Sequence, residues 1–299
     1  MGNVFFFDWE IRLIEALQSV TGNLLTYIAV FFTMLGEEYL VIVVLGLIYW
    51  CFNKDLGRKV SLALSGTMIF GTLIKGLALR RRPYMDNKTV KCLRPAHSDG
   101  DIMSPVDQGF SMPSLHASMS AAVYGTLAYR IKKTVFVILG IFLPLFIGIS
   151  RVYLGVHYPT DVMLGWGLGI IMVFALGAVE NRFGYKISFT AILLIGSAGF
   201  FFCRDNEFWS SWGLTLGLLL GFIYEEKFVG FEPAKKWWSF ILRPVLGVVV
   251  FALVSAVFKI PEKAISAEMP ALIFRLVRYA VSTFAIIGLY PHLFKKIKI

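Results

Sequence analysis

Charged side chains are too scarce in this chain to clothe a soluble domain. They make up 16% of 299 residues against 57% hydrophobic, and the mean hydropathy is +0.71, which excludes an ordinary globular protein with a solvated surface. Alternation is missing as well. The apolar residues come in long continuous runs, which disfavours a β-barrel and points to an all-α, polytopic transmembrane helical bundle. Cysteine is nearly absent: Cys51, Cys92 and Cys203 fit neither a zinc cluster nor a disulfide framework, leaving a Cys92 to Cys203 bridge as an open pairing. No basic stretch precedes the first apolar run, and Asp8 and Glu10 interrupt it, so no cleaved signal peptide is expected. Acids are outnumbered by bases, 19 to 29. Most of that excess lies in short connections between apolar runs, so it reads as membrane topology and not as a nucleic-acid surface.

Taken in order, residues 1–20 mix apolar and acidic positions as an amphipathic helix lying flat at the membrane interface would. Six apolar runs follow, near 21–36, 38–53, 57–79, 114–130, 134–150 and 159–179, so 21–180 is expected to form a six-helix core with an outer loop at 80–113. Four more runs, near 187–203, 208–224, 240–258 and 268–294, make 181–299 a transmembrane extension. Lys54, Arg58 and Lys59, then Arg130, Lys132 and Lys133, then Arg182 and Lys186, and the lysines near the carboxyl terminus all fall on one side. The positive-inside rule makes that side cytoplasmic, with both termini inside. The loop at 80–113 breaks the rule by carrying Arg80, Arg81, Arg82, Lys88, Lys91 and Arg94 on the other face. A long connection rich in cations is expected to roof an anion site.

Three polar segments reach that outer face. Lys75 and Arg82 are seven residues apart, nearly two helical turns, so both are expected to project from one helix face, with Pro83 marking the helix end. Pro113-Ser114-Leu115-His116 opens a span, leaving the N–H groups of Ser114, Leu115 and His116 without intrahelical partners and so free for an anion; His116 can supply a proton. Ser150-Arg151 ends a span and Pro159 starts the next, which puts His157 just before a helix and Asp161 in its first turn. Four residues apart, the carboxylate can orient the imidazole, while Arg151 offers a planar fork to phosphate.

These motifs, Lys75 with Arg82-Pro83, Pro113-Ser114 with His116, and Ser150-Arg151 with His157 and Asp161, occur in the order and spacing of the type-2 phosphatidic acid phosphatase superfamily, which residues 21–180 resemble. The resemblance implies metal-independent phosphate hydrolysis through a phosphohistidine, without a cofactor. It makes His157 the nucleophile, Asp161 its orienting group and His116 the proton donor to the leaving group. It also makes Lys75, Arg82, Ser114, Leu115 and Arg151 the phosphate-binding set. Leu115 stands where the family pattern has glycine, which puts the shape of the pocket in question.

A site at the membrane face suits a lipid phosphate: a sphingoid-base phosphate, to which Ser111, Met112 and Gly36-Glu37-Glu38 also point by resemblance, a polyprenyl diphosphate, or phosphatidate. The enzyme alternative is phosphotransfer to another acceptor. The non-enzyme alternative is a phospholipid transporter or scramblase, which the extra spans favour, although a binder has no need of an oriented His and Asp pair with a second His. His97 with Asp99 and Asp101 lacks ligand-like spacing, so no metal is assigned. Gly165 and Gly169, and Gly213, Gly217 and Gly221, have the spacing for close helix packing within the chain or in a homodimer. Arg275 and Arg278 are expected to pair with carbonyls or Glu268, or to touch a second headgroup.

Overall fold

A computed structural model describes residues 2–20, 22–96 and 100–297. Among them all regular structure is helical apart from one isolated bridge between Asn3 and Arg80. The helices are α1 (Asp8–Ser19), α2 (Asn23–Met34), α3 (Glu38–Gly46, wound on more widely through Phe52), α4 (Lys54–Ala78), α5 (Pro83–Asp86), α6 (Pro105–Gln108) and α7 (Leu115–Ile131). They continue with α8 (Thr134–Tyr153), α9 (Pro159–Gly196), α10 (Asn206–Tyr224), α11 (Ser239–Ala264), α12 (Glu268–Phe284) and α13 (His292–Lys296).

Each expected apolar run is a helix. Five helical stretches among the described residues are both long and apolar enough to cross a membrane: Lys54–Ala78, Thr134–Tyr153, Pro159–Phe201, Ser239–Glu262 and Glu268–Phe294. The others fall short for physical reasons. At 1.5 Å per residue the 12 residues of α2 span about 18 Å, less than the ~30 Å hydrocarbon core. The sixth and seventh runs are joined in α9, where Gly184 alone leaves helical geometry (φ +79°, ψ 165°) and turns the chain.

Close packing follows the small residues. A Cβ at Gly165 would lie 2.7 Å from the Ser114 carbonyl and one at Gly169 2.4 Å from the Ser118 carbonyl, so these glycines seat α9 on α7. Gly213 and Gly217 do the same for α10 against the Leu276 and Ala280 carbonyls of α12. The glycine spacing thus serves contacts inside the chain. The extension also shares one apolar cluster with α3 and α4, in which Tyr49, Trp50, Leu62 and Ile69 pack with Leu214, Phe222, Phe251 and Ile286.

Several expectations need correction. Cys51, Cys92 and Cys203 are all free thiols, and Cys203 donates to the Thr72 carbonyl instead of bridging Cys92. Arg275 and Arg278 pair with Glu262, at 2.7 and 3.1 Å, and not with Glu268, because Glu262 closes the end of the neighbouring α11. His97 and Asp99, to which no metal is assigned, lie outside the described residues. Helix α1 is more than an interfacial strip: Ile14 and Glu10 are fully buried, and the carboxylate of Glu10 reaches into the polar end of the bundle.

Connectivity gives the bundle two polar ends. Lys54 and Arg58 meet Glu225, Arg130 approaches Glu180 and Lys186 pairs with Glu226 at one end. The end of α4, the start of α7, the end of α8 and the start of α9 converge at the other.

Candidate active site

The polar floor is built where α4 stops. Helix α4 does not run on to Arg82: Leu79 takes a left-handed conformation (φ +50°), and Asn3 pins the turn by hydrogen bonds to Leu79 and Arg81. Lys75 and Arg82 therefore do not share one helix face. They meet because the chain reverses and Arg82 caps α5, with Pro83 as its first residue.

Arg82 is 1% exposed and donates to the carbonyls of Gln108 (2.7 Å), Gly109 (3.0 Å) and Val156 (2.9 Å), which draws the loop over the site. One Nη1 lies 3.4 Å from Nε2 of His157. Within the 80–113 connection, the described residues are tied to the core by the Leu93 N–H on the Leu154 carbonyl and by Arg94 on Glu37 at 2.6 Å. Gly155 is required beneath it. Its φ is +76°, and a Cβ there would lie 2.2 Å from the Lys91 carbonyl.

His157 sits in the turn between α8 and α9, and Pro159 opens α9 as expected. Asp161 caps that helix through the Tyr158 N–H (2.8 Å). The Asp161 carboxylate is 3.6 Å from His157 Nδ1, longer than a hydrogen bond, so the expected direct contact is not made. Ser111 fills the gap: its hydroxyl bonds Asp161 Oδ2 and lies 3.4 Å from Nδ1. The Arg82 guanidinium only donates, so Nε2 carries the lone pair, Nδ1–H points to Ser111, and the Ser111 hydroxyl donates to Asp161. Burial, reinforced by Arg82, Arg151 and Lys75, holds the His157 imidazole well below the ordinary histidine pKa. A neutral ring with an outward lone pair is a nucleophile's form.

Asp161 is held by a network that motif spacing did not reveal. Arg80, 1% exposed, donates to Asp161 Oδ1 at 2.6 Å, to Glu10 at 2.8 Å and to Thr160 at 2.8 Å. Its guanidinium lies 3.9 Å from the centre of the Tyr158 ring. Two carboxylates thus share one arginine, itself stacked on an aromatic face.

At the start of α7 the Ser114 N–H donates to the Asp161 carbonyl (3.0 Å), so it is not the free donor expected. Leu115, His116 and Ala117 head the helix with no backbone acceptor among the described residues. The Ser114 hydroxyl and Arg151 Nε are buried and unpartnered there, while Arg151 Nη1 donates to Thr33 at 2.8 Å. A phosphoryl oxygen would satisfy both orphans. Leu115 does not fill the pocket, because its side chain packs against Gly71 of α4, where a Cβ would lie 2.5 Å from it. His116 is packed by Gly36, whose Cβ would stand 3.2 Å from the ring.

Lys75, 2% exposed, pairs with Glu207 of α10 at 2.6 Å. All eight expected residues are therefore brought to one end of the bundle. Glu10, Arg80, Ser111 and Glu207 join them.

Residues 57–184 match the PAP2 superfamily and residues 209–299 match the PAP2 superfamily phosphatase, transmembrane extension. The chain is 37% identical over 86 residues to a phosphatidylglycerophosphatase B of Bacillus subtilis, covering 25% of this chain and 42% of that protein. It is 28% identical over 153 residues to an undecaprenyl-diphosphatase of Sulfolobus acidocaldarius, covering 51% and 69%. The crystal structure of a transmembrane PAP2-type phosphatidylglycerolphosphate phosphatase from Bacillus subtilis aligns with 26% identity over 58% of this chain and 86% of that one, with a TM-score of 0.46.

Proposed function

From a chain that belongs to the PAP2 superfamily and carries its transmembrane extension, we propose a membrane phosphatase that hydrolyses a lipid phosphomonoester or diphosphate through a phosphohistidine at His157. The observation that carries this reading is the hydrogen-bond order that leaves the Nε2 lone pair facing Arg82. Nε2 attacks phosphorus in line with the lipid oxygen; the N–P bond forms, the P–O bond breaks, and His116, protonated by the acidic proton of the entering phosphate monoanion, gives that proton to the departing alkoxide. Water then attacks the phosphoryl group, His116 takes its proton, and the N–P bond breaks to release inorganic phosphate. Lys75, Arg82, Arg151, the Ser114 hydroxyl and the Leu115 and His116 N–H groups hold the phosphoryl oxygens and offset their charge. Asp161 fixes the tautomer through Ser111.

The charge count supports a cytoplasmic basic end, with the carboxyl terminus near it, and an extracytoplasmic His157 end; the amino terminus does not follow the expectation, because Asn3 bonds Leu79 and Arg81 at the His157 end. Purified protein in detergent with EDTA is expected to release phosphate from an alkyl monophosphate. No release contradicts the phosphatase reading, and release only on adding a divalent ion contradicts the metal-independent mechanism.

A general acid matters in proportion to how poor the leaving group is. His116→Ala is therefore expected to cost most on alkyl monophosphates and least on nitrophenyl phosphate, whose phenolate leaves unaided. Arg151→Ala should cost all substrates alike. Comparing kcat/KM across the series checks this, and equal losses for His116→Ala would reduce that residue to a phosphate contact.

A further inference from the structure

The transmembrane extension reaches the phosphoryl pocket through one side chain. Glu207 lies in the first turn of α10, which is tied to the outer end of α4 at Cys203 and braced by two bonds within residues 203–209. The Asp205 carboxylate caps the helix by accepting from the Phe208 N–H at 2.9 Å. The Cys203 thiol bonds the Thr72 carbonyl, and a Cβ at Gly76 would lie 2.5 Å from its sulfur. The Trp209 indole donates to the Cys203 carbonyl at 3.2 Å.

So held, Glu207 takes one donor of the buried Lys75 ammonium and keeps 23% of its own side chain exposed. Its carboxylate and the Arg82 guanidinium flank the same residue: a Cβ at Gly109 would stand 3.7 Å from Glu207 Oε1 and 3.8 Å from Arg82 Nη2. An ammonium has three N–H donors, so Lys75 can hold Glu207 and a phosphoryl oxygen together. The carboxylate therefore stays in the pocket wall when a phosphate enters. Fixed there, it subtracts from the attraction of the three cations, and the subtraction grows with each further negative charge on the substrate.

We infer that Glu207 is a specificity-determining residue, supplied by the extension, that favours lipid phosphomonoesters over diphosphates. This rests on the phosphatase reading above. A purely structural counter-ion to Lys75 would affect both substrate classes equally, whereas a charge filter changes their ratio.

The test compares dodecyl phosphate with dodecyl diphosphate, which share one tail and differ in charge, by initial rates of phosphate release from full-length protein. Glu207→Gln is expected to raise the diphosphate to monophosphate ratio of kcat/KM about tenfold or more, the effect of one charge at short range. Glu207→Asp, which keeps the charge, is expected to hold the wild-type ratio. An unchanged ratio in Glu207→Gln, or the same shift in Glu207→Asp, overturns the inference while leaving the phosphatase intact. Wild-type protein that releases phosphate from neither substrate overturns the phosphatase reading itself. If Glu207→Gln does not fold, inhibition of the wild type decides: pyrophosphate should bind no more tightly than phosphate despite its greater charge, and tighter pyrophosphate inhibition overturns the filter.

Discussion

His157→Ala is expected to lose turnover by about four orders of magnitude or more while the protein still folds. The variant removes the proposed nucleophile but little of what holds the bundle. Around His157 the turn keeps its capping bond from the Tyr158 N–H to Asp161, the Val156 carbonyl keeps Arg82, and Gly155 keeps its seat under Lys91. The neutral form of the buried imidazole makes this clean, since its deletion leaves no charge unpaired. Phosphate release together with the melting temperature in detergent checks it. Turnover within tenfold of wild type at normal stability would remove His157 from the chemistry.

Arg80→Ala is expected to act the opposite way, through the fold first. Glu10 and Asp161 are both fully buried and both lean on this one guanidinium. Deleting it strands two carboxylates, and breaking a buried pair costs about 3–5 kcal/mol, a large part of the ~5–15 kcal/mol that keeps a domain folded. Helix α1 should come loose, because Glu10 is its deepest polar anchor. A melting temperature far below that of His157→Ala is the expected result, with partial recovery in Glu10→Gln/Arg80→Met, which removes one of the stranded charges. A melting temperature near wild type would show that the Glu10, Arg80 and Asp161 network carries little of the stability.

The two variants separate what the sequence made legible from what it hid. Spacing and proline placed His157 before a helix and Asp161 within its first turn, because those relations are local. The convergence of Lys75, Arg82, Ser114, His116 and Arg151 followed from counting spans. Contacts between segments far apart in the chain were out of reach. In the run Arg80-Arg81-Arg82 nothing local says which arginine turns inward; Leu79, left-handed and pinned by Asn3, decides it. Glu10 reads as the polar face of an amphipathic helix, and Glu207 reads as an acid favoured near a helix N-terminus. Only the folded chain gives each of them a buried cation. Leu115 is the converse case, where a departure from the family pattern is absorbed by Gly71 on the neighbouring helix.

The central claim is that phosphate passes through a covalent bond to His157. Its most direct measurement is rapid acid-free quenching of purified protein mixed with a lipid monophosphate labelled with radioactive phosphorus, followed by peptide mapping of the label. The account predicts a label that is stable to base, labile to acid, carried on the peptide containing His157 and missing from His157→Ala. A turning-over enzyme whose label maps to another residue, or whose His157→Ala variant is labelled as fully as wild type, would contradict it.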